Sequence, residues 1–152
     1  MSDVAIQGYI QTLIQANAAF SDADVSLGNF RSLDRGSPPY AVVLPGEIIS
    51  GERAGDWAQV TLIWEHSVEV FHRFLDDSFA DFCAARQTVV DIIGRNPTLG
   101  GNSEIIGAYV SAAPVLGYLY SSDGGDIPAF VIGYVTVRTV EQVSYAGVGE
   151  FA

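Results

Sequence analysis

The chain has 152 residues, 49% of them hydrophobic, 11% aromatic and 16% charged, which fits a single globular domain over 1–152 better than two domains or a disordered tail. Seven basic residues, all arginine, stand against 18 acidic ones for a formal charge of -11; this is the opposite of the footprint that holds phosphate backbones, and an anionic membrane would repel it. The weakly polar stretch Ala108 to Leu119 contains Pro114 and is too short to span a bilayer, a lone cysteine cannot form an internal disulfide, and Met1-Ser2-Asp3 lacks a secretory pattern, so synthesis in a reducing cytosol is expected.

Ser2 and Asp3 can cap a helix, and Ile6, Ile10, Leu13 and Ile14 recur at helical spacing, predicting an amphipathic helix from about Asp3 to Ala18. From Phe20 to Pro39, Ser, Asp, Gly, Asn and Pro dominate and Pro38-Pro39 closes the stretch, so it reads as a long connection. Tyr40 to Leu44 is a β-prone run stopped by Pro45-Gly46, and Glu47 to Gly55 reads as a flexible, charged loop.

Trp57 to Phe74 alternates with period two. Val60, Leu62, Trp64, His66, Val68, Val70, His72 and Phe74 fall on one face, with Gln59, Thr61, Ile63, Glu65, Ser67, Glu69, Phe71 and Arg73 on the other. At about 3.3 Å per residue such a strand reaches roughly 60 Å, longer than the ~40 Å width of a domain this size, so it either bends at a bulge or projects. Asp76 or Asp77 can cap a second helix, with Phe79, Phe82, Cys83, Arg86, Val90 and Ile93 along one side, Gly94 as a stop and Pro97 beyond it.

Thr98 to Ser103 is a Gly-rich turn. Glu104 to Ser111 and Val115 to Tyr120 read as strands separated by Pro114, and Ser121 to Ile127 as a hairpin connection. Phe130 to Val143 is a second long strand whose Val131, Val135 and Val137 suit a covered face. Its other face, with Phe130, Ile132 and Tyr134, is too apolar for plain solvent. The element order predicts an α+β fold, a mostly antiparallel sheet of long strands with two helices packed on one face. Val60, Leu62, Trp64, Val131, Val135 and Val137 should be buried beneath Phe79, Phe82, Cys83, Val90 and Ile93.

No motif for catalysis stands out. His66 and His72 share a strand face but lie about 20 Å apart along it, too far for both to ligate one ion at about 2.0 to 2.1 Å, and Glu65 and Glu69 point the other way. Cys83 sits on an apolar helix stripe with no base marked beside it. Asp123-Gly124-Gly125-Asp126 is too short for a calcium loop, Gly147 and Gly149 begin a dinucleotide pattern that the remaining residues do not complete, and Asp76-Asp77 is explained by capping. The expectation is a non-enzyme without metal or cofactor. The competing possibility is a small ligand-binding or metal-dependent enzyme domain using the His66 to His72 face.

Ala84-Ala85-Arg86-Gln87-Thr88-Val89-Val90-Asp91-Ile92-Ile93, followed by Gly94-Arg95-Asn96-Pro97-Thr98-Leu99-Gly100-Gly101, resembles a segment of the tail terminator (tail-completion) proteins of long-tailed bacteriophages and gene transfer agents, in which an amphipathic helix ends in a similar Thr-Leu-Gly-Gly turn. The order of helices and long strands is similar to that family too. The long Phe20 to Pro39 connection and the extended second strand depart from it. The resemblance implies a small subunit that assembles as a ring, commonly a hexamer, on the finished tail tube, stops its polymerisation and joins the tail to the head or neck. It implies a virion location after assembly in the host cytoplasm. Its partners would be further copies of itself, the tail tube protein and a head or neck connector, with DNA only passing through the lumen. A different neck or head-completion protein is the structural alternative. Glu47, Glu52, Arg53 and Asp56 in the first charged loop, with Asp123 and Asp126 in the second, are the expected interface residues, mobile in the free subunit and ordered by neighbours.

Overall fold

The computed structural model describes residues 1–20, 25–27, 39–53, 58–73, 78–113, 117–120 and 128–145. Helix α1 (Asp3–Gln15) begins at Ser2, whose extended backbone and Oγ accepting the Ala5 amide at 3.2 Å form the N-cap. Its Ile6, Ile10 and Ile14 are buried, as their spacing demands. The strands are β1 (Val25–Leu27), β2 (Tyr40–Val43), β3 (Glu47–Arg53), β4 (Gln59–Arg73), β5 (Ile105–Ala112), β6 (Gly117–Tyr120) and β7 (Pro128–Ser144), with helix α2 (Ser78–Arg95) between β4 and β5.

All seven strands form one sheet. At its centre β4 and β7 pair antiparallel from Gln59 opposite Ser144 to Arg73 opposite Phe130 without a register shift. β2 and β3 lie end to end along the outer side of β4, β2 against its second half and β3 against its first, with Pro45-Gly46 between them. β5 and β6 lie end to end along the outer side of β7 in the same way. β1 adds parallel to β2. The fold is therefore α+β with a mostly antiparallel sheet, as the element order implies.

Directly opposed residues share a face of the sheet. His66, Val68, Val70 and His72 of β4 thus stand beside Val137, Val135, Gly133 and Val131 of β7 on the face that receives both helices. Tyr40, Val42, Phe71 and Ile132 form a separate buried cluster on the other face, with Leu44, Phe130 and Tyr134 at its margin. This is the apolar second face that the alternation in β7 indicates.

Four expectations need correction. Glu47 to Gly55 is not a loop: residues 47–53 pair with β4, although every one is exposed. The long connection contains β1. Of the two outcomes expected for the long strand, the bend is absent: β4 pairs with β7 without a register shift, its 15 residues reach about 50 Å at 3.3 Å each, and bulges fall instead in β3, between Ile48 and Ser50, and in β5, between Ile105 and Gly107 and between Val110 and Ala112.

The fourth concerns α2. Its buried stripe is Phe82, Ala85, Val89, Ile92 and Ile93, turned about 80° from the expected one at 100° per residue. Phe79 is 55% exposed, and Cys83 and Val90 are only half-buried. The rotation has a local cause: a Cβ added at Gly133 would lie 2.5 Å from Phe82 Cζ. The fully buried Phe82 ring therefore sits on the bare backbone of β7, and small Ala85 lets the helix come close. Leu62 and Trp64 are likewise half-buried, whereas Val60, Val131, Val135 and Val137 are buried as expected.

The Thr-Leu-Gly-Gly turn reverses the chain after α2 with three successive positive φ angles, 51° at Leu99, 93° at Gly100 and 90° at Gly101. The last two suit glycine. Leu99 accepts a conformation unusual for a side-chain-bearing residue because its side chain is buried in the core and its amide donates to Asn96 O at 2.9 Å.

Candidate functional site: sheet edges and a buried polar centre

Asp3, His66 and Glu141 gather on the helix-facing side under the start of α1. Asp3 Oδ1 accepts the Gly46 amide at 3.0 Å and lies 2.6 Å from Nε2 of His66, so one carboxylate ties the helix N-terminus to the Pro45-Gly46 break and to β4. A Cβ at Gly46 would fall 2.5 Å from the His66 ring. Next to it, Glu141 is fully buried, with Oε1 accepting from Trp64 Nε1 at 3.3 Å and Oε2 2.9 Å from the Met1 amine. The Trp64 and His66 rings stack at 6.0 Å.

Burial lowers the His66 pKa, against the opposing pull of Asp3. For Asp3 burial acts upward, but hydrogen bonds from Gly46, Gln7 and His66 outweigh it and leave the carboxyl below its ordinary value. His66 thus stays neutral and donates from Nε2, while Nδ1 has no hydrogen-bond partner among the described residues. This arrangement locks α1 to the sheet.

The second histidine does not join it. His72 lies further along β4 beside a shallow depression lined by Ala19, Pro39, Asp81, Ala84, Ala85 and Thr88. Glu65 and Glu69 project from the opposite face. Among the described residues no three His, Cys, Asp or Glu side chains come together as a ligand set. Cys83 is a half-buried free thiol. No helix among the described residues is long and apolar enough to cross a membrane.

Of the interface candidates, Glu47, Glu52 and Arg53 lie on the exposed strand β3. Arg53 also stacks over the Tyr145 ring at 5.8 Å, joining the end of β3 to the end of β7. Asp56, Asp123 and Asp126 lie outside the described residues, as do Asp76, Asp77, Gly147 and Gly149.

Pairing also brings Glu47, Glu65, Arg138 and Tyr109 into one row across β3, β4, β7 and β5, away from the helices. Arg138 Nε donates to Glu65 Oε2 at 3.2 Å, and hydrogen bonds with Tyr109 and Glu65 raise its already high pKa. Further along that face Glu69 is buried. Burial raises its pKa, a hydrogen bond with Tyr134 opposes the shift, and Oε2 has no hydrogen-bond partner among the described residues.

The sequence reading missed the apolar part of the edges: Ile48, Ile49, Ile106 and Tyr109 are all exposed. The adjacent Ile48-Ile49 was the available signal, masked by Ser50-Gly51 after it.

These elements define a small α+β domain with a long-stranded sheet, helices on one face, and β3 and β5 as outer strands among the described residues. No family model matches the sequence, and no curated protein matches it. A chain in a structure entitled "Virion of native gene transfer agent (GTA) particle" has a similar fold, with a TM-score of 0.68 at 14% identity, over 93% of this chain and 98% of that one.

Proposed function

We propose that this chain is a structural subunit of a phage-like particle, a tail terminator that assembles as a ring of six copies on the tail tube, ends its growth and meets the head or neck. The observation that carries this reading is the end-to-end likeness to a chain of a gene transfer agent virion, covering nearly the whole of both chains. The resemblance of Arg86 to Gly101 to the tail terminator turn points the same way. The site adds consistent chemistry: Asp3, His66 and Glu141 are engaged in fixing the start of the chain and α1 to the sheet, and exposed groups lie along a strand edge.

A chain of net charge -11 also suits a conduit for DNA. Carboxylates at a lumen repel phosphates and let the genome pass, where a basic lining would hold it. The partners in this reading are further copies, the tube protein and a neck connector, and no cofactor or catalysis is involved.

The test is to polymerise the tube protein of the same particle with and without this chain and measure tube lengths by electron microscopy. Capped tubes of defined length, each carrying a ring of this protein at one end, are expected. Unchanged tube lengths with the protein bound instead to the head portal would refute termination and assign it to head completion.

A further inference from the structure

We infer that β3 and β5 are the two halves of a subunit junction: the β3 edge of one copy adds to the β5 edge of the next, so that the sheet continues from subunit to subunit. The inference rests on the ring reading and names the surfaces that close the ring.

Both strands are terminal among the described residues, β3 on the outer side of β4 and β5 on the outer side of β7. By contrast, β1 covers the outer side of β2. The two open edges also lie level. Ser50 pairs with Ile63, Ile63 with Val140, and Val140 with Gly107, so one row of the sheet runs from edge to edge.

Strand direction supplies the occupant. Each step from β3 to β4, β7 and β5 is antiparallel, so β3 and β5 run in opposite directions. Two copies standing side by side in the same orientation therefore bring β5 of one against β3 of the other as an antiparallel pair, the more stable ladder. Such a contact uses a different patch on each copy and is head-to-tail, which closes into a ring when the rotation between copies allows it.

The side chains agree. Each edge carries a bulge on this row, and at each bulge the extra residue is an exposed isoleucine, Ile49 at 39% and Ile106 at 56%, with Ile48 and Tyr109 exposed nearby. Neither strand contains proline, so every backbone amide along both is a potential donor to a partner strand. Bulges re-aim side chains, and here they present apolar ones where a neighbouring strand would cover them.

Ile49→Lys and Ile106→Lys test the junction. Both side chains are exposed in the subunit, so melting temperature and circular dichroism should match the parent. Assembly of the full chain is followed by mass photometry and electron microscopy over a concentration series. Each variant should need at least roughly tenfold more protein for half-assembly. Mixing the two should yield a two-subunit species, because the first retains its β5 edge and the second its β3 edge.

Rings that form equally well from both variants, or a mixture no larger than its components, would overturn the junction. Variants that form normal rings yet no longer stop the tube would assign these edges to the tube protein instead, which also overturns it.

Where the parent is monomeric in solution, Ser50→Cys with Gly107→Cys in a Cys83→Ala background reads the same contact on the tube. The two positions are three strand spacings apart within a subunit, about 14 Å, beyond the reach of a disulfide. A ladder of oxidised multimers supports the junction, and monomer alone overturns it. Failure of the terminator reading appears separately, as tubes whose length ignores the parent protein.

Discussion

Replacing Gly133 with alanine should damage this fold more than its surroundings in a strand suggest. Gly133 pairs with Val70 at the centre of the sheet, and the new Cβ would lie 2.5 Å from Phe82 Cζ and 3.4 Å from both Cε atoms. Phe82 is fully buried, so its ring cannot swing into solvent, and relief requires α2 to lift from the sheet. Overpacking of this kind costs about 1 to 3 kcal/mol. Phe82→Ala removes the ring and leaves a cavity, at about 3 to 5 kcal/mol.

Phe82→Leu shortens the side chain at the point of collision. Combining it with Gly133→Ala should be less harmful than the sum of the two single changes by on the order of 1 kcal/mol or more. Urea unfolding of the four proteins measures that coupling, and in a chain of this size each kcal/mol is roughly 2 to 4 °C in Tm. A neutral Gly133→Ala, or strict additivity in the double variant, would refute the claim that this contact sets the height and rotation of α2.

Acid should weaken the protein in a defined window. The His66 pKa is lowered in the fold, so below the ordinary value of 6.5 the unfolded chain holds more protons, and stability declines as pH falls from there toward the folded value. His66→Gln should flatten that decline in urea titrations at stepped pH. A parent protein equally stable across the window would contradict a neutral, buried His66. Asp3 adds a loss of the same sign at lower pH, as it protonates below its ordinary 3.8. Glu69 has the opposite sign: its raised pKa means that stability falls as the buried carboxylate ionises, so Glu69→Gln should raise Tm at neutral pH by a few degrees while keeping an acceptor for Tyr134. A lower Tm would show that the charge is compensated. Zinc should leave Tm unchanged; calorimetry revealing one tight site lost in His66→Ala would overturn the structural reading in favour of the metal-dependent one.

The local alternation of side chains was enough to find most elements. Period two marks β4 and β7 unmistakably, and Ile6, Ile10 and Ile14 mark α1, because an element that buries one face must repeat at its own geometry. The fold class follows from their order. β3 escaped because Glu47 to Arg53 has no buried face: its pairing comes from the backbone of β4, and no side-chain pattern records that. The rotation of α2 escaped for a related reason. Phe79, Cys83 and Val90 make as good an apolar stripe in isolation as Ala85, Val89 and Ile92, and the choice between them rests on Gly133 lying under Phe82 from a strand that follows some fifty residues later.

The functional surface divides in the same way. The separation of His66 and His72 was legible in their spacing, since distance along a strand is set by the chain alone. That Asp3 would reach His66 and Gly46 was not, nor that Ile49 and Ile106 would stand level on opposite edges. Register across β3, β4, β7 and β5 is a property of the assembled sheet, in which each strand's position is decided by its neighbours and by the helices that must seat on one face.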